Sequence, residues 1–110
     1  MKTLKLNAYG NTYKIKLQIA EYYNGNIAIN MLYYDEDFKA YGPYATLTVN
    51  LDDDLPLNHA YIDVNNLGDD IITWVLVNNL ADFADKYTCS GWVAYPLFKF
   101  DLEEVKKYAE

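Results

Sequence analysis

The chain has 110 residues, and its 16 carboxylates against 9 Lys, with no Arg, give a formal net charge of −7. A chain of this length is expected to form a single domain, residues 1–110, around one modest core. Cys89, the only cysteine, excludes an internal disulfide, and the N-terminus lacks the apolar segment of a secretory signal, so we expect a reducing, cytoplasmic setting.

The charge and the apolar residues are unevenly distributed. Residues 1–16 carry four Lys and no acid, a charge of +4, which leaves −11 for the rest of the chain. Such asymmetry is typical of oriented association with a charged partner, although charge runs are more often only solvated faces. The longest strongly apolar stretch, residues 71–77, is too short to span a membrane, so no membrane partner is expected.

The first half of the chain shows strand periodicity. Apolar residues alternate with polar ones over residues 4–8 and again over residues 13–19, which predicts two strands with their Lys side chains on an outer face. Gly10-Asn11 is predicted to join them as a two-residue hairpin turn. After the turn at Asn24-Gly25, residues 27–34 are partly apolar on both faces, which predicts a central strand.

Two further strands are predicted between clear breakers. Asp35-Glu36-Asp37 is predicted to end the third strand, and a loop is expected as far as Gly42-Pro43. Residues 45–51 predict a fourth strand, which Asp52-Asp53-Asp54-Leu55-Pro56 stops, and residues 60–64 predict a short fifth strand.

The second half predicts helices as well as strands. Asp69 and Asp70 before the apolar residues 71–77 favour a helix with Gly68 as its cap and Asn78-Asn79 as its stop, although the β-branched residues leave a strand open. Residues 87–100 predict a strand in which Gly91 and Pro96 indicate a bulge or an edge position. Asp101 is predicted to cap a short C-terminal helix. These elements predict an α+β fold: a mostly antiparallel meander of five to six strands, one packed helix and a short C-terminal helix.

Four short sequence strings carry a family resemblance. They are Tyr9-Gly10-Asn11-Thr12-Tyr13, Tyr44-Ala45-Thr46-Leu47-Thr48-Val49-Asn50-Leu51, Ile62-Asp63-Val64-Asn65-Asn66 and Tyr95-Pro96-Leu97-Phe98-Lys99-Phe100. The chain resembles, over essentially its full length, a family of small bacterial proteins catalogued as a domain of unknown function. The resemblance implies a setting on conjugative elements and phages, and it transfers no catalytic residue. The chain is expected to depart from its relatives in residues 35–42 and 52–59.

Residues for metal or covalent chemistry are scarce. Cys89 and His59 are the only Cys and His ligands, too few for zinc, and three consecutive Asp at residues 52–54 lack the alternate spacing of a calcium loop. The only activated nucleophile available is Cys89 or Ser90 beside His59, and Cys89-Ser90-Gly91 matches no nucleophile elbow. We therefore expect no cofactor, no metal and no enzymatic activity.

The basic N-terminal segment is a candidate surface for direct nucleic-acid binding. The candidate patch is a set of lysines with two tyrosines: Lys2, Lys5, Lys14, Lys16, Tyr9 and Tyr13. The absence of Arg and the net charge of −7 oppose the approach of a polyanion. The lysines are otherwise expected to solubilise a strand face and discourage edge pairing.

Acidic clusters give the sharper prediction. Asp35, Glu36 and Asp37 form one and Asp52, Asp53 and Asp54 the other, and with Asp63, Asp69 and Asp70 they are predicted to present negative charge resembling a nucleic-acid backbone. Four tyrosines flank the first cluster and are predicted to stack on Arg or fill a pocket in a partner. They are Tyr33, Tyr34, Tyr41 and Tyr44.

This pattern predicts a non-enzymatic acidic inhibitor of phage or mobile-element origin. The most specific expectation is an anti-CRISPR protein that occupies the basic nucleic-acid-binding surface of a host effector nuclease, an expectation based on analogy with other small acidic proteins of phages. The alternative is an accessory protein-interaction module of a conjugative element or phage.

Overall fold

Eight strands and three short helices follow one another in the computed structural model, which describes residues 2–109. The strands are β1 Leu4–Ala8, β2 Asn11–Glu21, β3 Ile27–Asp35, β4 Ala40–Thr46, β5 Thr48–Val49, β6 His59–Ile62, β7 Ala81–Ser90 and β8 Val93–Phe100. The helices are α1 Val64–Leu67, α2 Asp70–Val77 and α3 Leu102–Lys106. All strands lie in two antiparallel sheets, in the orders β1-β2-β3-β4 and β5-β6-β8-β7. The predicted α+β class is confirmed, with more strands than the five to six predicted.

The first hairpin turns one residue earlier than predicted. Tyr9 and Gly10 both have positive φ, 51° and 75°, and Ala8 pairs with Asn11. Two successive residues with positive φ are the signature of the type I′ turn, whose twist matches that of the flanking strands. Asn11 is therefore the first residue of β2, and the turn is Tyr9-Gly10 rather than Gly10-Asn11.

The fourth predicted strand is divided between the two sheets. Gly42 and Pro43, predicted to lie in a loop, belong to β4, where Pro43 pairs with Leu32 next to a register shift. An edge strand with an irregularity tolerates proline, because one side of the strand needs no donor. The chain then changes sheet at Leu47, whose N–H donates to the carbonyl of Ile29 at 2.8 Å.

Residues 87–100 form a hairpin and not one strand. Gly91, with φ of 61°, lies in the turn between β7 and β8, and the polar residues from 82 onward already belong to β7. The predicted bulge is present, because the register shifts between Phe83 and Tyr87, opposite Pro96. The edge position is wrong for Pro96, since β8 lies between β6 and β7.

The two predicted helices are confirmed and a third one precedes them. Ile71 and Val75 of α2 are buried, and Asn78 caps its C-terminus. Gly68 ends α1, which sequence patterns did not predict, and does not cap α2. The N-cap of α3 is confirmed, because the Asp101 carboxylate accepts from the N–H of residue 104.

One hydrophobic core contains residues from both sheets and from α2 and α3. Leu4 and Leu6 of β1 lie in it, so the edge strand is packed into the same unit as the C-terminal half. The C-terminal segment returns to the first sheet, where the N–H of Leu17 donates to the carbonyl of Tyr108 at 2.9 Å. No helix within residues 2–109 is long and apolar enough to cross a membrane.

Candidate partner-binding site

The two acidic clusters lie at opposite ends of the first sheet. Asp35 ends β3, whereas Asn26, which directly precedes β3, donates its side-chain amide to the carbonyl of Asp53 at 2.8 Å. A strand advances about 3.3 Å per residue, so the nine residues of β3 separate its ends by roughly 26 Å. The clusters therefore do not merge into one array along this sheet.

The first cluster forms an ordered turn between β3 and β4, residues 35–39, which we call the acidic turn. One carboxylate oxygen of Asp35 accepts from the backbone N–H of Asp37 at 2.9 Å and of Phe38 at 3.3 Å. Glu36 and Asp37 are exposed, and the Phe38 ring is 81% exposed. One carboxylate thus fixes the backbone, while two others and an aromatic ring face solvent. Sequence reasoning missed Phe38, because its exposure depends on how the turn projects from the sheet.

A second exposed aromatic residue lies at the same end of the sheet. Tyr9, in the β1–β2 turn, is 84% exposed. β2 begins and β3 ends at this edge because they are antiparallel neighbours. With strands about 4.8 Å apart, the centres of the two turns are separated laterally by about 10 Å. Tyr9 and Phe38 are therefore two exposed rings at the same edge of the sheet, in neighbouring turns.

The four predicted tyrosines are split between the faces of the sheet. The rings of Tyr34 and Tyr41 pack together on the outer face with centroids 5.3 Å apart. The ammonium of Lys14 lies 5.3 Å from the centre of the Tyr34 ring, and that of Lys16 lies 4.2 Å from the centre of the Tyr41 ring. These two rings already hold cations of their own chain, so stacking on a partner's Arg would require their displacement.

The other two tyrosines pack on the inner face around Tyr13. The ring centroid of Tyr13 lies 5.9 Å from that of Tyr33 and 5.2 Å from that of Tyr44. The nearby Asp35 carboxylate, which accepts from the Tyr33 hydroxyl at 3.3 Å, raises the pKa of Tyr33. Burial is the main cause that raises the pKa of Tyr44. Tyr33 thus contacts the first residue of the acidic turn, and Tyr44 packs against Tyr33 with ring centroids 6.2 Å apart.

The second cluster is largely occupied by contacts within the chain. Asp53 accepts from the hydroxyl of the fully buried Tyr61 at 2.7 Å. Asp52 accepts a hydrogen bond from the exposed Tyr23 hydroxyl, which raises the pKa of Tyr23. Of the three, Asp54 is exposed and has no hydrogen bond to a described residue. The carboxylates of Asp52 and Asp53 thus mainly hold the conformation of this loop.

A cleft beside the first sheet is separate from the acidic residues of both clusters. It has a volume of about 900 Å³ and lies between β1 and α2. The indole N–H of Trp74 donates to the carbonyl of Lys5 at 2.8 Å across it. Of the four tyrosines predicted to contact a partner, Tyr44 alone lines it, and Asp70 of the predicted acidic array lies at it as well.

The residues considered for covalent and metal chemistry are dispersed. His59 pairs with Lys99, and Cys89 pairs with Ala94, so the two are separated by about 16 Å along β8. His59 instead contacts the carbonyl of Leu57 through Nδ1 at 2.9 Å. Within residues 2–109 no group of three Cys, His, Asp or Glu side chains is arranged around a common point for a metal ion.

The fold and these surfaces define a small α+β protein of two antiparallel sheets that carries charged and aromatic side chains on its hairpin turns. The chain belongs to the family described as a domain of unknown function, DUF4313, whose family model matches residues 16–110. The predicted membership of a family of unknown function is confirmed. No curated protein and no solved structure is similar to the chain.

Proposed function

We propose that this protein is a non-enzymatic inhibitor of the anti-CRISPR type, carried by a phage or mobile element, that binds the basic nucleic-acid-binding surface of an effector nuclease in the host cytoplasm. The observation that supports the proposal is the acidic turn. Its backbone is fixed by Asp35, and it presents Glu36, Asp37 and Phe38 to solvent.

Binding by this turn has a physical basis in its mixed chemistry. Lysines and arginines that hold phosphates in a nucleic-acid channel would meet the carboxylates of Glu36 and Asp37. Phe38 supplies a rigid apolar anchor inside the charged rim, and burying such a ring contributes about 2 kcal/mol. Because Asp35 orders the turn in the free protein, little conformational entropy remains to be lost on binding.

The overall charge acts on the rate of association. A net charge of −7 attracts a basic surface over several ångströms, and salt screens this attraction. The loop of residues 52–54 lies roughly 26 Å from the acidic turn and is tied to its own chain, so the proposal assigns the main contact to the turn. The mimicry is local and does not follow the length of a nucleic-acid backbone.

Binding and cleavage assays with purified CRISPR effector nucleases test the proposal. Phe38→Ala is expected to weaken binding at least about tenfold, as for an aromatic hot spot. The double variant Glu36→Gln/Asp37→Asn is expected to weaken binding more at low salt than at high salt. Asp82→Asn/Asp85→Asn removes the same charge at exposed positions on β7, outside the predicted acidic array, and is the matched control. Saturating guide RNA or target DNA is expected to compete with the protein.

Covalent chemistry is tested separately. Cys89→Ala and His59→Ala, made one at a time, are expected to leave inhibition unchanged, since the two side chains lie far apart on different strands. Loss of inhibition in either variant at an unchanged melting temperature would contradict the non-enzymatic assignment.

The accessory-module function is favoured by a different surface. Trp92, at the tip of the β7–β8 hairpin, is fully exposed, and Tyr87 on β7 is 60% exposed. Mimicry of a nucleic acid does not require these apolar side chains. If partner binding is insensitive to salt and to both acidic-turn variants, tolerates bound nucleic acid and is lost in Trp92→Ala, the accessory function replaces the inhibitor.

A further inference from the structure

Among the residues that the structure describes, the outer face of the first sheet carries lysines and no carboxylate. Strand alternation and the register place on this one face a set of basic, aromatic and neutral polar side chains. They include Lys5, Lys14, Lys16, Gln18, Tyr34 and Tyr41, and the apolar Leu32 and Pro43 lie on the same face. In a chain with 16 acids and 9 lysines, this face has the opposite charge to the rest of the protein. We call its basic and aromatic part, residues 5, 14, 16, 34 and 41, the lysine face.

The lysines of this face are arranged unfavourably for an isolated protein. Lys5 and Lys14 are directly opposite each other in the register of β1 and β2, with Cβ atoms expected about 5 Å apart. Like charges in such a cross-strand pair are destabilising. An anion bound between the two ammonium groups would relieve this repulsion.

Aromatic rings limit the movement of the ammonium groups. Lys14 lies over the Tyr34 ring and Lys16 over the Tyr41 ring, at 5.3 and 4.2 Å from the ring centres. Cation–π contacts of this kind contribute about 0.5–1 kcal/mol each at exposed sites. Gln18, Asn30 and Thr46 continue the face as a hydrogen-bonded polar ladder, with donor–acceptor distances of 3.1 and 3.0 Å. These contacts hold the lysine and polar side chains of the face in place before any partner arrives.

We propose that the lysine face is a second docking surface, which binds an acidic segment of a partner protein. Charge complementarity supports an anionic occupant, and the geometry favours carboxylates over a nucleic acid. The Tyr34 and Tyr41 rings are covered by ammonium groups and by each other, at an interplanar angle of 66°, so they offer no open platform for base stacking. The net charge of −7 also opposes the approach of a long polyanion more than that of a short acidic segment.

Fluorescence anisotropy and NMR on the full chain test this proposal with two probes. The first is a labelled twelve-residue peptide of alternating Glu and Ser, and the second is a twelve-nucleotide oligothymidylate. The peptide is expected to shift the amide resonances of residues 5, 14, 34 and 41. The variant Lys5→Gln/Lys14→Gln is expected to weaken its binding about fivefold, as for two exposed charge contacts.

The matched control removes two lysines from another surface. Lys106→Gln/Lys107→Gln changes the net charge by the same amount on α3, where both lysines pair with glutamates of their own helix. This variant is expected to bind the peptide as the wild type does. An equal loss in both variants, resonance shifts elsewhere, or no binding of the peptide would overturn the proposal. Binding of the oligonucleotide in preference to the peptide would overturn it in favour of nucleic acid.

Discussion

The hydrogen bond between Asp53 and Tyr61 provides a stability test of the loop of residues 52–54. The Tyr61 hydroxyl donates to Asp53 at 2.7 Å and lies 2.8 Å from the hydroxyl of Thr88. Tyr61 is fully buried, and Asp53 therefore connects the loop to the face of the second sheet. Asp53→Ala removes this connection and leaves the buried hydroxyl with Thr88 alone.

The expected magnitude follows from three contributions. A hydrogen bond to a charged group is worth about 1.5–3 kcal/mol. The ion pair with Lys86, at 3.9 Å between partly exposed side chains, adds little. The second carboxylate oxygen of Asp53 is buried without a hydrogen bond from any described residue, and its removal recovers part of the loss. We therefore expect Asp53→Ala to lower the free energy of unfolding by about 1.5 kcal/mol and the melting temperature by about 6 °C.

Urea denaturation of single variants measures this loss. Asp54→Ala removes the same charge from the next residue, which is exposed, and is expected to change stability by less than about 0.5 kcal/mol. If the two variants lose the same stability, or if Asp53→Ala costs less than about 0.5 kcal/mol, the Tyr61 bond does not hold the loop. In that case, neutralising all of residues 52–54 would test binding alone. With the Tyr61 hydrogen bond in place, the same change also disturbs the fold of the loop.

Three further predictions concern the core, a titration and a helix cap. Val75→Ala is expected to cost about 2 kcal/mol, whereas Val77→Ala on the same helix, where the side chain is 72% exposed, is expected to cost less than about 0.5 kcal/mol in denaturant unfolding. The pKa of Tyr33 is raised, which favours the neutral phenol in the folded protein. The associated stability is therefore present below the ordinary pKa of 10.0 and is lost as the pH rises through the pKa of the folded state. Asp35→Asn is expected to lower the pKa of Tyr33 in a carbon-13 NMR titration. Asp101→Ala is expected to cost about 1 kcal/mol through loss of the α3 cap, measured by thermal unfolding.

Local signals were sufficient to predict the first three strands and two helices. The alternation in residues 4–8 and 13–19 depends on one buried face, and the burial of Leu4, Leu6, Ile15 and Leu17 confirms it. The acids before residue 71 favour a helix N-terminus in the sequence itself. These elements are specified by neighbours within a few residues, which is why sequence patterns find them.

The second sheet depends on contacts that are distant in sequence. β7 includes Asp82 and Asp85, the latter with φ of 56°, because an edge strand with a bulge accepts polar residues and irregular backbone. The change of sheet at Leu47 is set by its pairing with Ile29, eighteen positions earlier. Neither feature has a local pattern that distinguishes it from a loop or a continuous strand.

The candidate site was predictable in composition and not in geometry. Sequence analysis found both acidic clusters, but the burial of Tyr61, which engages Asp53, is a property of the fold. The separation of Tyr33 from Tyr34 could have been predicted, since consecutive residues of a strand point to opposite faces. The exposure of Phe38 could not, because it depends on where the β3–β4 turn projects from the sheet.

Strand alternation also keeps the two charged surfaces of the first sheet from neutralising each other. Lys14 lies on the outer face of β2, and Asp35 is on the opposite face of β3 at the same end of the sheet. Within residues 2–109, the ion pairs join Lys86 to Asp53 and the lysines of α3 to its own glutamates, and none includes a carboxylate of the acidic turn. The exposed carboxylates of Glu36 and Asp37, which lie beside the Phe38 ring and in none of these ion pairs, therefore direct their field toward solvent, where a basic partner can use it.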